Sequence, residues 1–295
     1  MKTLLVLEGG ALRGIYTAGV LDVLLDTDIK IDAIVGVSAG ALFGINYVSK
    51  QKGRCLRYNL ENANNKNYMG FYSLFKTGNI MNEDFCFNKL IYETDPFDFD
   101  TFNNSKTKFY CVVTNLETGL PEYKLITDIK NEMEYLRASG SMPLVSKIVE
   151  IDGKKYLDGG VSDSVPLEWA LKQGYDKIII VETRVKDYRK KKSNTSLFKL
   201  KYKSYPNFIN TINNRWITYN KTKEDIIKLD RDKIFVIRPS KLVPIKRIEH
   251  DRTRIQEMYD LGVEDAKNSL DDLKIYLKRE GKRWYGYLKI LRRKI

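Results

Sequence analysis

Residues Gly36-Val37-Ser38-Ala39-Gly40 have the composition of a turn that presents a nucleophile. They follow the apolar run Ala33–Val37 and lead into the small-residue-rich stretch Ala39–Val48. A serine between a buried strand and a helix sits on a sharp turn, and the positions two before and two after pass close together. Gly36 and Gly40 keep both of them small. Ser38 then projects at the carboxyl end of a sheet, where open α/β folds place their sites. The helix behind it adds a positive dipole end and unpaired N–H groups. The same five residues would also serve a strand–turn–helix junction that needs small side chains only for packing. A serine nucleophile needs a base, usually histidine. The sequence holds one, His250, more than two hundred positions away in the charged stretch "IEHDRTR", which reads as a helical surface or packing residue.

Two further stretches could do chemistry. Glu8-Gly9-Gly10-Ala11-Leu12-Arg13-Gly14 follows a first apolar run and opens a helix, so its backbone N–H groups can face an anion. That anion could be the oxyanion of an acyl intermediate. It could instead be a dinucleotide pyrophosphate, read as Gly9-x-Ala11-x-x-Gly14 with Asp28 or Asp32 on the ribose, although Ala11 and the bulky Arg13 weaken that fit. A structural glycine turn is the third reading. Asp158-Gly159-Gly160 ends a strand and leaves open approach on one side, but Asp-Gly is ordinary turn chemistry, as Asp152-Gly153 in the same hairpin illustrates. Ser139, Ser141, Ser162 and Ser164 read as turn and helix-cap residues, and Asp163 as a cap or surface residue.

The elements that must position these residues follow from periodicity. "TLLVL" and "DAIVGV" read as short buried strands, and Ile15–Leu25 repeats its apolar residues at helical spacing. Two strand–loop–helix units within the first fifty residues imply parallel strands with helices on both faces. Residues 50–102 read as helices and loops beside the sheet, either filler or an acyl-chain surface. Residues 108–116 are a strand, "PEYKLI" its partner, and "IKNEMEYLRASGS" a helix ending near Gly140. A hairpin turning at Asp152-Gly153 returns to Asp158. Pro166 opens a helix, "KIIIVET" is a buried strand, residues 205–229 are helical, "KIFVIRP" is a late strand, and residues 247–277 form a long helix.

Together the three motifs resemble the patatin-like phospholipase family. That family carries an Asp/Glu-Gly-Gly-Gly-x-Arg-Gly loop, a Gly-x-Ser-x-Gly elbow and an Asp-Gly-Gly or Asp-Gly-Ala, in the order seen here as "EGGALRG", "GVSAG" and "DGG". "GIYTAGVLDVLL", "RASGSMPLVS" and "YLDGGVSDSVPLEWA" are also similar to its bacterial members, and "RPSKLVPIKRIEHDRTRIQEMYDLGVEDAK" to the C-terminal extension of one bacterial subgroup. The resemblance implies a three-layer α/β/α fold with a mostly parallel sheet and lipid acyl hydrolase activity. It also implies Ser38 as nucleophile, Asp158 as its partner in a dyad, and the amides of the loop from Gly9 through Gly10, Ala11, Leu12 and Arg13 to Gly14 as oxyanion hole. Gly36, Gly40, Gly159 and Gly160 are its motif glycines. One departure is Ala11, where glycine is usual; a positive φ there would strain the loop. Arg13 reads as a brace of that loop by an ion pair or, as the alternative, as a contact to a lipid phosphate. The expected organisation is an acyl hydrolase domain over residues 1–183 and a mainly helical extension with one late strand over residues 184–295.

Composition narrows the partners. Of 295 residues, 43% are hydrophobic, enough for a packed core, and no apolar run is long enough to span a membrane. Cys55, Cys86 and Cys111 are odd in number and widely spaced, which fits free thiols in a cytoplasmic protein and neither a disulfide framework nor a zinc site. No cofactor or metal is expected. The formal charge is +13, and basic residues cluster at 184–194 and 278–295, the second interleaved with aromatics. That pattern fits peripheral contact with an anionic inner membrane surface or a solvated tail. A recognition motif for nucleic acid is missing. A nonspecific carboxylesterase, an acyltransferase on the same dyad, and a non-catalytic lipid-binding protein are the alternatives.

Overall fold

The computed structural model describes residues 1–231 and 233–279. An eight-stranded, mostly parallel sheet forms its centre. In chain order the elements are β1 (Thr3–Leu7), α1 (Ile15–Leu25), β2 (Ala33–Val37), α2 (Ala39–Val48), α3 (Arg54–Glu61), α4 (Phe71–Thr77), a π-helical segment Phe85–Thr94, and α5 (Phe99–Asn103). Then come β3 (Lys108–Asn115), β4 (Pro121–Ile126), α6 (Met133–Gly140), β5 (Val149–Ile151), β6 (Lys154–Asp158), α7 (Leu167–Lys172) and β7 (Lys177–Val181). The chain continues through α8 (Ser196–Lys201), α9 (Pro206–Leu229), β8 (Phe235–Ile237) and α10 (Arg252–Lys278). The strand order is β5-β6-β3-β2-β1-β7-β8, with β4 paired to β3.

Strands β1, β2 and β7 are buried along their whole length, as continuous apolar runs in a parallel sheet should be. Alternation divides them between two cores. Leu5, Leu7, Ile34, Ile179 and Val181 pack with α1, α2 and α10 on one face. Leu4, Val6, Val35, Ile178 and Ile180 pack with α7 and α9 on the other, which makes the three layers expected. The late strand joins the sheet beside β7. Helix α10 is tied to α1 by Tyr16 Oη to Asp265, 3.1 Å, and Tyr259 Oη to Asp22, 2.7 Å.

The last helix starts later than its apolar periodicity predicts. Asp251 accepts the N–H groups of Thr253 and Arg254 as an N-cap, so residues 247–251 lie in the loop before α10. His250 therefore sits on a loop, not a helix.

Candidate active site

The meeting of Ser38 and Asp158 is a consequence of strand pairing. On one edge, β3 pairs first with β2, Val37 opposite Val112, and then with β6, Asp158 opposite Val113. Strand β4 occupies the other edge. Since β6 runs antiparallel to β3 and β2 parallel, their carboxyl ends meet nose to nose at adjacent β3 residues. Ser38 follows one end and Asp158 closes the other, although 120 residues separate them in the chain. The Ser38 hydroxyl donates to Asp158 Oδ2 at 2.8 Å, and both residues are buried.

Ser38 has φ 54° and ψ −121°, the strained backbone of an elbow. A Cβ on Gly36 would lie 2.6 Å from Ala41 Cα, and one on Gly40 would lie 2.5 Å from the Leu7 carbonyl oxygen, so neither position admits a side chain. The turn has a second support that sequence reading missed. Ser139, at the end of α6, accepts the Ser38 N–H through its hydroxyl at 2.8 Å and donates to the Val112 carbonyl at 2.7 Å. It is wholly buried, and is a prop of the elbow, not a cap. No local signal marks it, because its partners come from β2 and β3.

Asp158 is held equally firmly. Its Oδ1 accepts the Gly160 N–H at 2.7 Å, its own N–H donates to the Ser141 carbonyl at 2.9 Å, and Thr114 Oγ1 donates to its carbonyl at 2.8 Å. A Cβ on Gly159 would run into the Val112 carbonyl. Burial pushes the Asp158 carboxyl up from its ordinary value; Arg215, the Ser38 hydroxyl, the Gly160 N–H and Lys190 pull it partly back. Arg215, on α9, donates through Nε to the Gly160 carbonyl at 2.6 Å. Nearby Asp163 is half-buried: it accepts from Tyr123 Oη at 2.7 Å, and burial raises its carboxyl to about 6.

The glycine loop is more differentiated than its sequence suggests. The Gly9 N–H donates to the Ser164 carbonyl, Leu12 to the Arg247 carbonyl and Arg13 to the Gly10 carbonyl. Gly10 and Ala11 make no backbone N–H hydrogen bond among the described residues, nor does Ala39 at the start of α2. Ala11 has φ 50°, the left-handed conformation for which glycine is favoured. Glu8 anchors the loop from beneath, accepting from Thr183 N at 2.6 Å and Tyr219 Oη at 2.8 Å. Arg13 makes no ion pair among the described residues, and its Nε is buried without a hydrogen-bond partner there.

Beyond Ser38 lies an apolar cavity of about 100 Å³. Leu42, Phe43, Tyr58, Met81, Phe87 and Leu90 line it, together with Ser38, Ala11, Leu12 and Arg247. The π-helical segment contributes Cys86, Phe87, Leu90 and Ile91, so the irregular residues 50–102 form an apolar wall of this cavity. His250 is absent from the lining; its Nδ1 lies 2.6 Å from the Ala63 carbonyl. No group of His, Cys, Asp and Glu among the described residues could hold a metal ion.

Residues 5–171, more than half of the chain, match the model of the patatin-like phospholipases. The chain belongs to the patatin-like phospholipase family. All three motifs of this patatin-like protein fall inside the match, whereas Arg215 and Arg247 fall in residues 205–278, which match a domain of unknown function, DUF6363. The uncharacterized protein YjjU of Escherichia coli K12 is 30% identical over 185 residues, 61% of this chain and 51% of that protein. Lysophospholipase nte1 of Aspergillus fumigatus is 29% identical over 191 residues, 60% of this chain and 12% of that one. The chain thus spans about half the length of the first relative and a small part of the second. The crystal structure of VipD from Legionella pneumophila superimposes with a TM-score of 0.44 at 14% identity, covering 92% of this chain and 67% of that one.

Proposed function

We propose that this patatin-like protein is a serine acyl hydrolase of phospholipase A or lysophospholipase type. The observation that carries the reading is the 2.8 Å hydrogen bond from Ser38 to the buried Asp158 beside an apolar cavity. Asp158 accepts the Ser38 proton as Oγ attacks the ester carbonyl. The amides of Gly10 and Ala11 in the loop, the two left without backbone acceptors, hold the oxyanion. Asp158 then gives the proton to the leaving alcohol and activates a water that cleaves the acyl-enzyme. A carboxylate is a weak base at its ordinary pKa, and the upward push of burial makes Asp158 a better one. Lysophospholipase nte1, a relative by sequence, favours a lipid ester as substrate.

In this reading residues 1–183 form the acyl hydrolase unit and residues 184–295 an extension that completes its surroundings. The substrate arrives from a lipid surface, and basic residues give peripheral contact with an anionic membrane. Of the first cluster, Lys186, Lys191 and Lys192 are exposed, while Lys190 turns inward, 2.8 Å from Ser164 Oγ. Residues 280–295 of the second lie outside the described residues. Among the described residues no helix is long and apolar enough to cross a membrane.

A short-chain chromogenic ester assayed with wild type, Ser38→Ala and Asp158→Asn tests the dyad. Loss of turnover in both variants, with unchanged circular dichroism, is the expected result. Equal activity in all three removes the reading.

A further inference from the structure

Five cations surround the loop and the dyad: Arg13, Arg184, Lys190, Arg215 and Arg247. Lys190 donates to Ser164 Oγ and lies 3.6 Å over the Tyr219 ring, and Arg215 is bonded to the Gly160 carbonyl. The other three guanidinium groups have no carboxylate partner among the described residues. Elsewhere Arg54, Arg57, Arg137, Arg238 and Arg254 have one, whereas Arg189 and Arg279 bond only to carbonyls. All three adjoin the glycine loop. Arg247 lines the cavity that also holds Ser38, and its carbonyl accepts the Leu12 N–H at 3.2 Å. Arg13 is the next residue along. Arg184 follows Thr183, whose hydroxyl packs against Gly10 and whose N–H is bonded to Glu8; its guanidinium stacks 4.3 Å over Tyr188. The nearby carboxylates are committed elsewhere, Glu8 to Thr183 and Tyr219, Asp158 to Ser38 and Gly160.

We propose that Arg184 and Arg247, with Arg13, form a binding site for a phosphate ester at the mouth of the acyl cavity. Guanidinium groups are the side chains suited to phosphate oxygens, since each offers a planar fork of donors. Their mutual repulsion supports the same arrangement: burial, then Arg184, then Arg247 hold Arg13 down to about 10. An anion held by these guanidinium groups would relieve that repulsion. Two of the three arginines lie beyond the residues that match the patatin-like model, and Arg247 lies in the region of unknown function. That region thereby selects the substrate of a site built by the other. The phosphate is either the head group of a lipid whose acyl ester reaches Ser38, which rests on the proposed hydrolase activity, or free phosphate.

The test has a binding arm and a kinetic arm, both on the full chain. In the first, inorganic phosphate is titrated calorimetrically into Ser38→Ala protein and into the same protein carrying Arg184→Gln and Arg247→Gln, at matched ionic strength. Phosphate affinity should fall at least tenfold in the triple variant. In the second, kcat/KM is measured for lysophosphatidic acid and for a monoacylglycerol of the same chain length, in wild type and in Arg247→Gln. The ratio of the two should fall at least tenfold, and Arg247→Lys should recover part of it. Unchanged phosphate affinity with an unchanged ratio overturns the site. Lost phosphate affinity with an unchanged ratio assigns the site to free phosphate and overturns the head-group assignment. Absence of Ser38-dependent turnover on any ester overturns the hydrolase reading, and the calorimetric arm then decides the anion site alone.

Discussion

Replacing Ser139 with alanine should damage both the fold and the dyad, through two hydrogen bonds that a single hydroxyl makes. The Ser38 N–H donates to it at 2.8 Å and it donates to the Val112 carbonyl at 2.7 Å, at a residue with no solvent exposure. Alanine leaves one buried donor and one buried acceptor without partners. At about 1–3 kcal/mol for each group, the loss is about 2–6 kcal/mol, a large part of the stability of an ordinary domain. The Ser38 backbone, strained at φ 54°, would lose the bond that pins its N–H. A shift of the Ser38 hydroxyl by about 1 Å from Asp158 is enough to lower kcat by roughly a hundredfold, while KM, set by the apolar cavity, changes less. Urea unfolding and esterase kinetics measure both effects. Ser141→Ala is the control, because that hydroxyl only donates back to the Arg137 carbonyl within its own helix, and it should cost less than about 1 kcal/mol. A Ser139→Ala protein within about 0.5 kcal/mol of wild type, with kcat unchanged, would refute the reasoning.

Four other outcomes follow from the same reasoning. Asp158 must be ionised to accept a proton, and its carboxyl is raised by burial, so kcat/KM should climb with pH through a pKa above the ordinary aspartate value of 3.8 and then level off. The sign for stability is the reverse: the folded state holds that proton more tightly than the unfolded chain, so ionisation costs stability as pH rises from 3.8 through the folded pKa. Asp158→Asn should therefore unfold at higher denaturant than wild type at neutral pH, and an equal or lower midpoint would count against a desolvated carboxylate. Ala11→Gly should raise stability by about 0.5–1 kcal/mol, the left-handed penalty of about 1–2 kcal/mol less the extra chain entropy of glycine, with activity kept because the amide remains. A lowered urea midpoint would contradict this. His250→Ala should keep most Ser38-dependent activity, since its ring is engaged by the Ala63 carbonyl; abolition in a folded variant would remove the dyad.

Much of the site is legible in the sequence, because it is written in local pattern. A serine flanked by Gly36 and Gly40 needs close backbone approach on both sides, and the two glycines encode that need within five residues. The runs at residues 4–7, 33–37 and 178–181 in β1, β2 and β7 are apolar because both faces are covered, and that too is local. The single histidine directed attention to a carboxylate, and the ordered motifs pointed to Asp158. The pairing of β2 and β6 along one edge of β3 was not legible, since register is a property of three strands far apart in sequence.

The residues that sequence alone misjudged share one physical reason: their roles are set by partners from other elements. Ser139 looks like a cap until β3 supplies Val112 and the elbow supplies Ser38. Arg13 looks like a brace until its neighbours prove to include Arg184 and Arg247, with no ion pair to it among the described residues. The sequence by itself determined which groups could react, the elements that carry them and the family they belong to. Only the tertiary structure decided that Ser38 and Asp158 touch and which loop amides stay free. It also brought Arg247 of the C-terminal region into the lining of the cavity that holds Ser38, because distance and burial arise only once the sheet brings remote segments together.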